Sequence, residues 1–373
     1  MGISNKKKVD KPFLISLIIL VVAGFFIFSS ASLGLLSSSS STFNSVTFNQ
    51  IVFGLILGGI SCVIASYIPF QFWKKNSFWI FLFSCFTMIL VFIPGLEFYH
   101  GGAHRWFHIG SFNVQPAEFY KIGVVFYLAA WFTSVKDKAS TFKYGTLPFI
   151  IITVISAGLL LAQPDTDTFF VVSLAGLGIF LTAGGKWRDI FSLILVGIVC
   201  LVVLAFARPY VMQRIKTFMD PASDPLGSGY QVQQSLIAIG SGGMVGRGFG
   251  QSIQKFSFLP EPIGDSIFAV AAEEFGFIGS VAIILLYLFF TFRGFKIAGK
   301  VQDSFGRLVT VGIVILIISQ SLINMAAMLA IMPLSGTPLI FISHGGTAML
   351  FALFSVGIVL NISRFQSQSQ SQK

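Results

Sequence analysis

Ten predominantly apolar runs divide this chain of 373 residues, each close to the roughly 20 residues an α-helix needs to cross a bilayer. They fall at 12–36, 48–68, 77–95, 115–133, 146–163, 168–184, 189–207, 270–292, 306–332 and 341–363. A short polar break, Gln163-Pro-Asp-Thr-Asp167, parts the fifth from the sixth. Hydrophobic residues make up 55% of the chain and charged residues 10%, against about 25% charged in an ordinary soluble domain. A water-soluble fold built from this chain would lack the polar surface to cover itself. The expected fold class is therefore all-α, a polytopic integral membrane protein of about ten transmembrane helices with one large extracytoplasmic loop.

The charges set the orientation. With the N-terminus inside, one set of segments carries Lys6, Lys7, Lys8, Lys11, Lys74, Lys75, Lys136, Lys138, Lys143, Lys186, Arg188, Arg293, Lys296, Lys300, Arg307, Arg364 and Lys373, which is 17 of the 24 basic residues. That face is expected to be cytoplasmic. Ten of the 14 acids lie outside or in the membrane: Glu97, Glu118, Asp165, Asp167, Asp220, Asp224, Glu261, Asp265, Glu273 and Glu274. Both termini then face the cytoplasm. The net charge of +10 is spread in short clusters between apolar runs, with no basic stripe interleaved with aromatics, so nucleic acid is not an expected partner. The N-terminal lysines and Ser30-Ala-Ser32 imitate a cleaved signal, but a run of this length suits an uncleaved first helix. The division is a cytoplasmic segment 1–11, a transmembrane domain 12–363 and a disordered cytoplasmic tail 364–373 of Gln-Ser repeats. Within the domain, 208–269 forms the large outer loop, in which Tyr230–Gly240 has one polar and one apolar face at helical spacing and should lie at the membrane interface.

Ionisable side chains are costly in and beside a membrane, so their clusters mark candidate sites. Phe258–Glu274 packs Glu261, Asp265, Glu273 and Glu274 into one stretch, with Asp265 just ahead of a long apolar run, at a helix mouth open to water and headgroups. Glu118 and Lys121 sit three apart behind Pro116, on one face of a helix. They form either a structural intramembrane ion pair or, with Arg105, a cationic site for an anionic headgroup. Asp165 and Asp167 mark a turn and suit a helix N-cap. His100, His104 and His108 recur every four residues, but the glycines before His104 argue against the single helix a zinc trio needs. Gly240–Gly250 lacks the order of a phosphate loop and reads as a close-packed backbone turn. Cys62, Cys85 and Cys200 lie in apolar runs as small hydrophobes. Gly336–Thr347 combines Gly, Pro, Ser343 and His344 beside a span, which implies irregular backbone against protein or a wet cavity.

Taken in order, Gly102-Ala-His-Arg-Trp106, Gln115-Pro-Ala-Glu118 with Lys121, Gln163-Pro-Asp165, Asp224–Gln231, Gln234–Gly243, Leu259-Pro-Glu261, Asp265–Val270, Glu273–Gly276 and Phe341–Gly346 strongly resemble the SEDS family (shape, elongation, division and sporulation) of polytopic bacterial cell-wall polymerases. Gly248–Lys255 before Leu-Pro-Glu looks more like the FtsW division branch than the RodA elongation branch. The resemblance implies a peptidoglycan glycosyltransferase in the bacterial cytoplasmic membrane. Its substrate would be lipid II, the undecaprenyl-pyrophosphate-linked disaccharide pentapeptide. Its partners would be a class B penicillin-binding protein and other divisome membrane proteins. The family's essential outer-loop aspartate maps onto Asp265. The chain departs from the family in reading Pro262-Ile-Gly-Asp-Ser266, in following Asp165 with Thr-Asp, and in placing His344, Thr347 and Ala348 where Tyr and two serines are usual.

Glycosyl transfer needs a base for the attacking hydroxyl and a stabiliser for the departing pyrophosphate. Asp265 is the expected base, or a ligand for Mg²⁺ or Mn²⁺. Arg105, Lys121, Arg214 and Lys255 are the candidate pyrophosphate contacts, and Glu118, Gln231, Glu261, Ser343 and His344 complete the expected substrate site. Two rival classes remain: a precursor flippase or transporter, and a non-catalytic scaffold of the cell-wall machinery. A transporter would carry its charges near the bilayer midplane, whereas here they crowd one face.

Overall fold

The computed structural model describes residues 9–37, 40–93, 97–100, 103–109 and 112–366. Most of the expected N-terminal segment 1–11 and of the expected disordered tail 364–373 lies outside the described residues. Every one of the ten apolar runs is helical. Helix α1 (Lys11–Ser32) is capped by the Asp10 carboxylate, which accepts from the Phe13 amide. The second run is α2 (Ser40–Asn49) continued by a π-helical stretch (Gln50–Leu57) into α3 (Gly58–Tyr67). Then come α4 (Phe70–Leu90), α5 (Pro116–Val135), α6 (Leu147–Ala162), α7 (Thr166–Thr182) and α8 (Trp187–Ala207). Two shorter helices, α9 (Pro209–Met219) and α10 (Ser228–Ser241), lie in the large loop. The last three are α11 (Ile267–Lys300), α12 (Ser304–Met328) and α13 (Gly346–Ser363).

Seven helical segments among the described residues are long and apolar enough to cross a membrane on their own. Helix α7 is apolar but shorter, and α4 and α5 carry lysines, which their neighbours or water at the membrane edge must accommodate. Helix α4 starts seven residues earlier than the apolar run because Lys74 and Lys75 belong to its first turns. Helix α13 starts later than the run at 341, since Phe341–Gly345 is irregular. Among the described residues the helices are joined by a small antiparallel sheet, β1 (Glu97–His100), β2 (Ala103–Ile109) and β3 (Phe112–Val114), paired in that order. It places His100, His104 and His108 on strands, which removes the helical face a zinc trio would have used.

The two ends of the bundle are distinct. The Asp10 amide donates to Ser363 Oγ at 3.2 Å and the Asp10 carboxylate accepts from Arg293 at 2.7 Å. The start of α1, the C-terminal part of α11 and the end of α13 therefore meet at one end. At the other end Ser30, near the end of α1, donates to Glu274 on the first turns of α11. Helices α5, α12 and α13 form the buried centre, with Tyr120, Phe126, Phe305 and Val356 sealed from solvent. Helix α8 stands apart, exposed along nearly its whole length, an apolar surface suited to lipid.

Gly246 and Gly276 shape the second end. Both have left-handed φ, +83° and +66°, and a Cβ on Gly276 would lie 2.3 Å from the Gly246 amide. That close approach lets the Arg247 and Gly248 amides reach the Glu273 and Glu274 carbonyls at 3.0 Å. The glycine-rich stretch is thus the close-packed turn expected from its composition.

Candidate functional site

The site lies at the end of the bundle away from the termini, in the turn Glu261–Ser266 that leads into α11. The turn closes on itself, because Gly264 and Ser266 both donate to the Glu261 carbonyl at 3.1 Å. Four residues hold it from outside. Ser343 Oγ donates to the Gly264 carbonyl at 2.7 Å, and the His344 amide to the Ile263 carbonyl at 2.7 Å. Gln231, on α10, donates to Ser266 Oγ at 2.9 Å. Asn324, on α12, donates to the Asp265 carbonyl at 2.8 Å. Gln231, Ser343 and His344, expected as substrate contacts, are here the frame around Asp265.

Among the described residues no protein group hydrogen-bonds the Asp265 carboxylate. Burial pushes its pKa up to about 7, with Glu261 and Asp167 adding to the rise and Arg214 and Arg105 opposing it. It keeps partial access to solvent while protein surrounds it on most sides. Gly336 explains part of the space beside it: a Cβ there would lie 3.7 Å from Asp265 Oδ2 and 3.9 Å from Arg214 Nη2.

The cations divide. Arg214, on α9, pairs with Asp167 at 3.0 Å through Nη1 and turns Nη2 toward the Gly336 side. Asp167 also accepts from the Gly336 amide at 3.1 Å. Arg105, on β2, binds the Gln163 carbonyl at 3.0 Å and the Pro164 carbonyl, fixing the α6–α7 turn. Asp165 caps α7 as expected, accepting from Thr168 at 3.1 Å. Lys121 is buried between Glu118 and Gln320, both at 2.7 Å. It lines a narrow cleft with Ile340, Phe351 and Ser355.

Lys255 departs from expectation. Its side chain is fully buried and its ammonium is saturated by Glu274 at 2.8 Å, Ser30 Oγ at 2.9 Å and the Gly250 carbonyl at 2.9 Å. An ammonium has three donors, so none is left for a pyrophosphate. Glu261 is exposed at the rim, with φ of +48°, and acts on Asp265 through its charge.

Sequence reasoning missed Gln320 and Asn324, which sit in a long apolar helix with no motif to flag them. It saw Asp167 only as part of a turn, although its partner Arg214 lies 47 positions away. No group of three His, Cys, Asp or Glu side chains that could hold a metal by itself occurs among the described residues.

Residues 11–368 match the family described as "Cell cycle protein", FTSW_RODA_SPOVE. The chain belongs to this family. It is 35% identical to stage V sporulation protein E of Bacillus subtilis over 314 residues, 83% of this chain and 86% of the relative. It is 36% identical to the probable peptidoglycan glycosyltransferase FtsW of Geobacter sp. (strain M18) over 308 residues, 83% of this chain and 84% of that one. Its fold matches a chain of a solved peptidoglycan synthase complex, with a TM-score of 0.74 at 24% identity over 92% of this chain and 97% of the other. It also matches the rod shape determining protein RodA of Thermus thermophilus, with a TM-score of 0.67 at 25% identity over 94% and 97% of the two chains. A FTSW_RODA_SPOVE member is a multi-pass membrane protein, in agreement with the helices described above.

Proposed function

We propose that this protein is a peptidoglycan glycosyltransferase that polymerises lipid II at the outer face of the bacterial cytoplasmic membrane, in cell division. The observation that carries the reading is the Asp265 carboxylate: bonded by no described protein group, facing the same Gly336 side as Arg214 Nη2, and pushed by burial to a pKa of about 7. A base works best when its pKa lies near the operating pH. Asp265 takes the proton of the attacking sugar hydroxyl as the new bond forms at the anomeric carbon. The bond from that carbon to the pyrophosphate oxygen breaks, and undecaprenyl pyrophosphate leaves with the electron pair. The product inverts, from an α-linked pyrophosphate to a β-glycoside. Arg214 Nη2 is the cation best placed to meet the charge that develops on the leaving group.

The residues also fit Mg²⁺ or Mn²⁺ held by Asp265 with pyrophosphate oxygens and water, since Mg²⁺ is usually bound through one or two carboxylates plus substrate phosphates. Such an ion would neutralise pyrophosphate charge.

The outer-face assignment draws on the basic residues at the opposite end, beside Asp10 and Arg293. A cysteine introduced at Ser228 should react with an impermeant thiol reagent in intact cells, and one at Ser140 should not. A relative in a solved complex that coordinates polymerization and crosslinking supports a class B penicillin-binding protein as partner. Glycosyltransferase naming among the relatives supports the activity, and the family description "Cell cycle protein" supports its setting. The test is direct: purified protein, with and without the partner subunit, is given lipid II and the products are separated by size. Glycan polymer is expected; folded complex that yields none would overturn the proposal.

A further inference from the structure

Gln320 and Asn324 lie one turn apart on α12, and each carries a buried side-chain amide, with 2% and 0% exposure. Both face the irregular segment after α12. Gln320 Nε2 donates to the Pro338 carbonyl at 3.1 Å, and Asn324 Nδ2 donates to the Thr337 carbonyl at 2.8 Å. Non-helical backbone at membrane depth needs such partners. Asn324 does one thing more. The same Nδ2 reaches the Asp265 carbonyl at 2.8 Å. Both partners are carbonyl oxygens, so the amide orientation is fixed, because the reverse orientation would set oxygen against oxygen.

We infer that Asn324 is a positioning residue for the reaction, setting the aim of the Asp265 carboxylate through its main chain. The inference rests on the reading of Asp265 as the base. Ser343, His344 and Gln231 hold the neighbours of Asp265, at Gly264, Ile263 and Ser266. Among the described residues Asn324 supplies the side chain bonded to Asp265 itself. The carboxylate has no protein hydrogen bond of its own to orient it, so its direction follows from its backbone. The bond also ties Asp265 to the rigid centre of the bundle. On the same face of α12, Gln320 accepts from Lys121 at 2.7 Å. One helix thus fixes the Asp265 turn and the Lys121–Glu118 pair relative to each other. A misplacement of about 1 Å at a reacting group can cost about 100-fold in rate.

A purely structural role for Asn324 has a matched control in the same protein. Asn361, on α13 at the terminal end of the bundle, is also a buried asparagine with 4% exposure. Its Nδ2 donates to the Ser66 carbonyl at 2.8 Å, and its Oδ1, like that of Asn324, has no partner. Asn324→Ala and Asn361→Ala should therefore lower thermal stability by similar amounts. The expectation is that Asn324→Ala lowers kcat per folded molecule about 10–100-fold with KM within about threefold, the signature of an interaction realised in the transition state. Asn361→Ala should leave kcat and KM within about twofold of wild type. Asn324→Leu, which fills the space and removes the orphaned oxygen, is measured beside it and should behave alike. The inference is overturned if both Asn324 variants match Asn361→Ala in kcat, if KM rises with kcat unchanged, or if neither folds while Asn361→Ala does. Failure of the underlying reading is separate: Asp265→Asn would then retain wild-type turnover.

Discussion

Asp265 and the pair Glu273–Glu274 lie within ten positions of one another at the mouth of the same helix, and their environments are opposite. Glu273 accepts from Ser252 Oγ at 2.5 Å, from the Ile253 amide at 3.1 Å and from the Gln254 amide at 3.3 Å, with Arg247 at 3.4 Å. Glu274 accepts from Ser30 at 2.6 Å and Lys255 at 2.8 Å. The Asp265 carboxylate accepts from no described protein group, its one described bond being at the main-chain carbonyl. Saturated carboxylates on α11 pin the loop 242–259 and the end of α1 in place. The unsaturated one is the carboxylate proposed above as the base. Proximity in sequence does not separate the two roles; the count of donors does.

The comparison breaks most visibly at Asp265. Asp265→Asn keeps the shape and removes the base, and loss of a general base costs about 10²–10⁴-fold in rate. Lipid II binding and partner association should persist, since no described group depends on this charge. Turnover of lipid II by purified Asp265→Asn at the wild-type rate would end the assignment and favour the transporter reading. At the other pole, Lys255→Met strands Glu274 in a fully buried site. Removing one partner of a buried pair typically costs about 3–5 kcal/mol, so thermal unfolding in detergent should drop sharply while the molecules that remain folded polymerise normally.

Much of this was legible in the chain. The ten apolar runs are ten helical regions because a span must be long and apolar whatever it packs against. Asp265 stood out because a carboxylate ahead of an apolar run is costly anywhere else. Lys255 did not read correctly, for a physical reason. A lysine in a glycine-rich loop looks solvent-facing, and the Ser30 hydroxyl that helps to bury it lies 225 positions away. Asn324 was invisible for a related reason: an amide in an apolar helix has no local pattern, and its partners Thr337 and Asp265 belong to loops whose path the sequence leaves open. The same holds for the sheet at 97–114, where glycines and histidines blur the alternation that marks a strand.

The Glu118–Lys121 pair sharpens the contrast from a third position, inside the bundle. It resembles Glu274–Lys255 in burial and distance, yet its ammonium has two described partners, Glu118 and Gln320, where Lys255 has three, and a cleft opens beside it. Lys121→Met should abolish polymerisation. The double change Lys121→Met with Glu118→Leu should recover stability, because replacing both buried partners is often nearly neutral, without recovering activity. Recovered activity in the double variant would place this pair with Glu274–Lys255 as purely structural.

The smallest effect concerns pH. Asp265 titrates near 7 in the fold and near 3.9 in an unfolded chain. The folded value is the higher one, so the folded state favours the protonated form. Stability from this group is then fully present below about pH 4 and is lost as pH rises through about 7. Activity runs the other way, because the base must be ionised: turnover should fall about tenfold per unit below pH 7. Asp265→Asn removes the charge that the fold resists. Its melting temperature should therefore exceed that of the wild type at pH 8 and match it at pH 4. Glu273→Gln and Glu274→Gln should do the reverse, losing stability, since each removes an acceptor that several buried donors share. Equal melting temperatures for Asp265→Asn and wild type at pH 8 would mean that the Asp265 carboxylate is well solvated, and the distinction between it and the two glutamates would then rest on hydrogen bonding alone.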